Sequence, residues 1–266
     1  MPRCKAGANG TQARRWPGKR HPHSAYRLFG AGLAREDAAT TTSDRRVPTA
    51  DLSFTVRLAR HPGDLVDACR LRAEAYGHHV PELSQPLARP DGLDGQPGTA
   101  VLVCRDKASG RAVGTARVQR NQHAPLLLES SLILPRRLAE RPRAEITRLA
   151  VAPGADAQLR PALMKAAYLY CLASQVRWLV IGARSDALIR IYRRLGFEDV
   201  LGPEDRVPLA HAGNLPHRIL AFDVIAAERT WLAAGHGLYP FMIETWHPDL
   251  QLFDEPALLA EARAAA

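Results

Sequence analysis

The stretch EITRLAVAPGADAQLRPALMKAAYLYC, Glu145 to Cys171, reads as a strand that passes through a short turn into a helix. That geometry holds phosphates in many proteins, because the free N–H groups at a helix N-terminus attract anions. A diphosphate needs close approach of the backbone, which glycine permits and other residues obstruct. The turn here is poor in glycine, and Gln158 and Arg160 stand where it enters the helix.

Upstream, SFTVRLA alternates as a strand, and PGDLVDACRLRAEAYGHH places Leu65, Val66, Cys69, Leu71 and Tyr76 at helical spacing. A Pro, Gly and Asp-rich loop, PLARPDGLDGQPG, precedes TAVLVCRDKASGRAVGTARVQRN, two apolar strands joined by a turn at residues 107–110. Residues 126–138 contain Pro135 and give no clear period. Downstream, RWLVIGA reads as a short strand and SDALIRIYRRLGF as a helix ending at Gly196. The order is strand, helix, hairpin, strand, helix, strand, helix, which predicts an α/β protein with a mixed central sheet flanked by helices. The terminal LLAEARAAA reads as a short helix or frayed end.

With 266 residues, 46% hydrophobic and 24% charged, the chain can bury a substantial core. No apolar run reaches bilayer length and no signal peptide precedes the domain, so a cytoplasmic protein is expected. Cys4, Cys69, Cys104 and Cys171 are far apart, three of them in apolar runs, and read as reduced thiols. No histidine has a partner at metal-ligand spacing, so no metal is expected. The net charge is +9, yet residues 1–50 hold ten Lys or Arg against three acids. That leaves +7 there and +2 elsewhere. Three parts are expected: a disordered basic tail over 1–50, a core over 51–203 and a C-terminal extension over 204–266 packed on it. The tail reads as a solvated extension, and no nucleic-acid partner is expected.

DALIRIYRRLGFEDV, with Tyr192 ahead of Gly196 and Phe197, and ITRLAVAP together resemble the GNAT acyltransferase superfamily. That family's turn has the form Q/R-x-x-G-x-G/A, and AQLRPA departs from it with Gln158 and Arg160 at the glycines. The stretches RLRAEAYGHHVPEL, DGLD, AVGTARV and EITRLAV resemble acyl-homoserine lactone synthases and, more closely, bacterial N-acyl amino acid synthases. WLAAGHGLYPFMIETWHPDLQLF is similar to the terminal segment of the latter and of exosortase-associated acyltransferases.

The resemblance implies an N-acyltransferase that moves a long-chain acyl group from acyl carrier protein to the α-amine of an amino acid. The co-substrate is acyl-phosphopantetheine or acyl-CoA, with no permanently bound cofactor. Backbone N–H groups of Leu149, Ala150 and Val151 are the implied donors to the thioester carbonyl, and Arg160 and Lys165 the cations for its phosphate. Glu145 is implied to receive the amine proton and Tyr192 to protonate the leaving thiolate. Arg117 and Arg148 are candidates for the acceptor carboxylate. Glu145 and Arg148 are three residues apart and face opposite sides of a regular strand, so a shared role requires a bulge; a structural ion pair is the alternative. Arg184, Arg190, Arg193 and Arg194, with Arg177 nearby, form a basic surface for the acidic carrier protein, or else a solvated helix face. His247 and Asp249 in WHPDL read as a turn-forming pair. A CoA-dependent N-acetyltransferase, an acyl-homoserine lactone synthase and a non-catalytic binding module are the alternatives.

Overall fold

The computed structural model describes residues 47–78 and 80–253, within a compact unit spanning residues 45–266. Most of the expected tail and the terminal LLAEARAAA lie outside the described residues.

Strand β1 (Phe54–Leu58) opens the chain and helix α1 (Pro62–Gly77) follows, its first turn fixed by Pro62 and by Asp64, which accepts from the His61 N–H. A short helix α2 (Pro81–Leu87) comes next, then the hairpin β2 (Thr99–Asp106) and β3 (Ala112–Arg120). A 3-10 turn (Leu127–Ser130) and helix α3 (Arg136–Ala139) lead into β4 (Arg143–Val151), α4 (Leu159–Ala173), β5 (Trp178–Ala183) and α5 (Asp186–Arg194). The remainder supplies β6 (Glu198–Asp199), β7 (Val207–Leu209), β8 (Leu215–Asp223), α6 (Ala227–Ala233) and β9 (Leu250–Gln251).

The main path of the sheet runs β6-β8-β5-β4-β3-β2-β1-β9, with β7 added to β8. The pairs β4–β5 and β1–β9 are parallel and the others antiparallel, so the expected mixed sheet is present. Of the segment set apart in sequence as an extension, 204–266, the described part gives β7, β8 and β9 to the same sheet as the core strands. Side chains alternate between the faces of β5 and β8. Leu179, Ile181, Leu220 and Phe222 face the core beneath α4, while Val180, Ile219 and Ala221 face the 126–138 segment.

Helix α1 lies on the second face, with Ala68 against Val101 and Val103. Its buried stripe differs from the sequence expectation: Val66 is exposed and Arg72 is buried. Small Ala68 brings the helix close to the sheet, and the Arg72 guanidinium bonds Asp94 at 2.9 Å, which makes its burial tolerable. The loop expected around residues 86–98 is preceded by α2, whose start Pro81 favours by presetting φ.

On the first face, α4 crosses the sheet at Gly114. A Cβ there would sit 2.4 Å from Leu159 Cδ2 and 3.2 Å from Cys104 Cβ, so glycine sets how closely the start of α4 approaches β3. The LYPFM and HPD pieces clamp this layer. Lys165 Nζ on α4 donates to the Phe241 and Thr245 carbonyls, both at 2.7 Å, and lies 3.0 Å from His247 Nδ1. Asp249 accepts from the Leu52 N–H at 2.8 Å and from Lys107 Nζ. Helix α5 ends at Gly196, whose φ of 94° suits glycine, and Trp231 Nε1 donates to the Leu195 carbonyl beside it. None of the described helices is long and apolar enough to cross a membrane.

Replacing Gly114 with valine is expected to cost about 1–3 kcal/mol, because Leu159 and Cys104 are buried and cannot yield without repacking. The check is a thermal melt of Gly114→Val; an unchanged midpoint would show that the α4 approach is loose.

Candidate active site

Strand β4 breaks its own pleat. Thr115 pairs with Ala150 and Arg117 with Thr147, so Ala116 alone faces both Arg148 and Leu149. Arg148 takes up the extra residue with a φ of 55°, in the left-handed region that an L side chain rarely occupies. The bulge brings the Arg148 guanidinium within 3.7 Å of Asp91, whose carboxylate also binds Arg117 at 2.6 Å. Arg117 stands opposite Thr147 and donates to its hydroxyl, on the face that Glu145 shares. The bulge therefore turns Arg148 toward the face that Glu145 shares, the geometry that the E-x-x-R spacing requires for a joint role. The expected alternative of an ion pair between them does not form, since the carboxylate near Arg148 is Asp91.

The same stretch parts from its neighbour. β4 pairs with β5 from Arg143/Trp178 to Ile146/Ile181 and no further, although both strands continue. Leu149, Ala150 and Val151 line the β4 side of this gap. Tyr76 of α1 donates its hydroxyl to the Leu149 carbonyl at 3.2 Å. Burial raises the pKa of both the Tyr76 and the Tyr192 hydroxyl; the charge of Arg160, half-buried in the first turn of α4, opposes the rise at both, and Tyr76 adds to it at Tyr192. Three polar groups thus converge where the strands separate. Burial pushes the Tyr192 hydroxyl far above its ordinary pKa, so it keeps its proton. Its ring packs 5.7 Å from Phe197, joining a functional position to the core.

Behind the bulge lies a dense ionic network. Arg117 is fully buried and binds Asp91 and, at 3.4 Å, Asp94, which also holds Arg72. Burial is the largest single influence on Asp91 and opposes its ionisation, but the Arg117 hydrogen bond and charge, the Leu93 N–H and the Arg148 charge together outweigh it and keep the carboxyl below its usual range. Arg148 has weaker compensation. Burial and then the Arg117 charge lower its pKa, and its Nε has no hydrogen-bond partner.

Glu145 is buried outright. One carboxyl oxygen accepts the Leu128 N–H at 3.0 Å, while the other, Oε1, faces Nε2 of His211 at 3.4 Å. Burial raises the Glu145 pKa to about 7, with the Leu128 N–H opposing the rise. Burial also lowers His211 to about 4, helped by Arg148, so the imidazole is neutral at physiological pH. His211 sits in a 3-10 turn, Ala210–Ala212, pinned to the 127–130 region by the bond from the Ala210 N–H to Ser131 Oγ.

One sequence assignment is corrected outright. Lys165 does not meet a phosphate: its three donors are engaged by the C-terminal segment. His247 belongs to that clamp. At the start of α4 stands Asp156, whose carboxylate accepts from Ser53 Oγ at 2.6 Å and the Gln158 N–H at 2.8 Å. Arg184, Arg190, Arg193 and Arg194 are exposed, with Arg193 bonded to Asp199; Arg177 pairs with Asp223 at 2.6 Å. Sequence reasoning gave no role to Asp91, Asp94, Tyr76 or His211. The first three lay in the DGLD and AEAYGHH pieces already singled out; His211 stands in a turn without a recognisable pattern.

The family model for the N-acyl amino acid synthase FeeM matches residues 67–214, more than half of the chain and all the side chains of this site except the clamp. The chain belongs to this family. It is an N-acyltransferase with the GNAT fold. Its structure is similar to that of FeeM from uncultured soil microbes, with a TM-score of 0.54 and 16% identity over 71% of this chain and 98% of that one. It is also similar to BjaI, a CoA-dependent acyl-homoserine lactone synthase solved with SAM and isopentyl-CoA, with a TM-score of 0.49 and 19% identity over 80% and 99% of the two chains. A GNAT-family acetyltransferase structure from Desulfovibrio desulfuricans gives 0.46, with 16% identity over 64% and 99%. No curated protein matches by sequence.

The elevated Glu145 pKa has a consequence for stability. The unfolded chain releases this proton near 4.5 and the folded protein near 7, so the folded state binds it more tightly and stability falls as pH rises through that window. Glu145→Gln removes the buried charge. Its unfolding free energy is expected to exceed the parent's above pH 7, by at most on the order of 3 kcal/mol, and to converge with it near pH 4.5, with the melting midpoints following in the same direction. Melts of both proteins across that range check this; a pH-independent difference would contradict it.

Proposed function

We propose that this N-acyltransferase takes a long-chain acyl group from acyl carrier protein and places it on the α-amine of an amino acid. The observation that carries the reading is a surplus cation beside a buried base. Among the described residues, Arg72, Arg117 and Arg148 form ion pairs only with Asp91 and Asp94, and Arg148 is the one held at a distance from its carboxylate. An amino acid supplies what the site lacks, with its carboxylate on Arg148 and its amine toward Glu145. In this reading Arg117 positions Asp91 rather than clamping the acceptor.

The chemistry follows from that placement. The amine nitrogen attacks the thioester carbon and passes its proton to Glu145, directly or through water. Backbone N–H groups on the open edge of Leu149–Val151 stabilise the oxyanion. As the carbon–sulfur bond breaks, Tyr192 gives its proton to the departing sulfur, and Arg160 steadies the donor's phosphate. A gap between β4 and β5 suits an extended acyl chain.

The turn before α4 favours a donor with one phosphate. Asp156 already places a carboxylate there, and Gln158 and Arg160 carry side chains where a diphosphate needs bare backbone. The exposed arginines of α5, Arg190, Arg193 and Arg194, with Arg184 before it, suit an acidic carrier protein. Such a donor belongs in a bacterial cytoplasm. Residues 1–50 take no part in this chemistry.

The test is mass spectrometry of products from long-chain acyl carrier protein or the matching acyl-CoA with a pool of amino acids. An N-acyl amino acid formed preferentially from the carrier protein is expected; formation only from acyl-CoA would overturn the donor assignment. Arg148→Gln is expected to raise KM for the amino acid roughly 10- to 100-fold while leaving KM for the donor near its parent value.

A further inference from the structure

We propose that His211 is a positioning residue that sets the proton affinity of Glu145 by donating its Nε2–H to Glu145 Oε1. The inference rests on the reading of Glu145 as the base and adds the group that keeps it competent as one.

The geometry leaves Oε1 to His211. Leu128 N–H is bonded to Oε2, and no hydrogen bond reaches Oε1 from any described residue. His211 Nε2 is 3.4 Å away, a gap that a small rotation of the ring closes. The ring faces Arg148, Arg117 and His217, whose charges oppose protonation, and the Leu127 carbonyl, which favours it. Burial, the largest influence, and the arginine charges prevail, so the imidazole carries one proton. Its position follows from the surroundings. Nδ1 is buried with no partner at normal hydrogen-bond geometry, the Leu127 carbonyl being the weakest influence on the ring, whereas a proton on Nε2 faces the carboxylate oxygen Oε1.

The effect on Glu145 has a definite sign. A donor to the carboxylate favours the charged form and lowers its pKa, against the burial that raises it. The other groups on Glu145 are the Leu127 and Leu128 N–H groups, the Arg117 charge and the opposing charge of Glu129. Donors to both carboxyl oxygens leave each oxygen a lone pair for the acceptor's proton. The pairing also ties the 210–212 turn to β4 without placing His211 against the reacting atoms.

Carboxyl-¹³C NMR of glutamate-labelled full-length protein tests this independently of turnover, with the Glu145 signal assigned by its loss in Glu145→Gln. In His211→Leu that carboxyl is expected to titrate at least roughly half a pH unit higher than in the parent, and in His211→Gln, whose amide can reach the Nε2 position, near the parent value. An unchanged or lower value in His211→Leu would overturn the proposal. If the leucine variant does not fold, His211→Asn replaces it: its shorter amide is expected to give the upward shift that the glutamine avoids, and equal values for the two would overturn the proposal. The acid limb of kcat/KM is expected to move the same way, with activity lost several-fold below pH 7 and regained at high pH. Absence of an N-acyl product from the parent protein would instead sink the reading of the reaction, and the NMR result would still decide the His211–Glu145 pairing.

Discussion

The site depends on one backbone irregularity. Arg148, at a φ of 55°, is the extra residue that β4 carries against β3. A regular strand would send Glu145 and Arg148 to opposite faces and keep β4 parallel to β5 to its end. The bulge places both residues in one site, and just beyond Ile146 the pairing with β5 stops. A left-handed arginine is strained, and the Asp91, Arg117 and Thr147 contacts hold the surrounding strand in place.

The ionic network has a matching logic. Buried arginines are tolerable only when paired, and Asp91 and Asp94 form close ion pairs with Arg72 and Arg117. Arg148 is left with a carboxylate at arm's length and an unbonded Nε. Glu145 is buried to the point where it holds a proton near neutral pH, a destabilising arrangement in a core and a useful one for a base. In the proposed reaction stability and chemistry oppose each other at this residue, while Lys165, expected at the donor phosphate, ties α4 to the C-terminal segment.

The sequence made the core order legible because its strands and helices carry clean periods and Gly196 closes α5. The missing glycines of AQLRPA were visible as well. The later strands were not, since β6, β7 and β9 have only two or three residues each and leave no alternation to detect. β8 was passed over because residues 204–266 were set aside as an extension, although ILAF within it is apolar. Arg148's need for a bulge was deducible from spacing, but its left-handed φ was not. Lys165 was misjudged because its partners are carbonyls 76 and 80 residues away, which no local pattern encodes. His211 was missed for a similar reason: its significance lies in the Glu145 carboxyl it meets across the fold.

In the proposed reading the bulge creates a two-point site for an amino acid, with a cation for its carboxylate and a buried carboxyl for its amine. A crystal structure with a long-chain N-acyl amino acid bound tests this most directly. The product carboxylate is expected on Arg148, the amide nitrogen facing Glu145 and the acyl chain leaving between β4 and β5. A carboxylate bound to another cation, with Arg148 still turned to Asp91 alone, would contradict it.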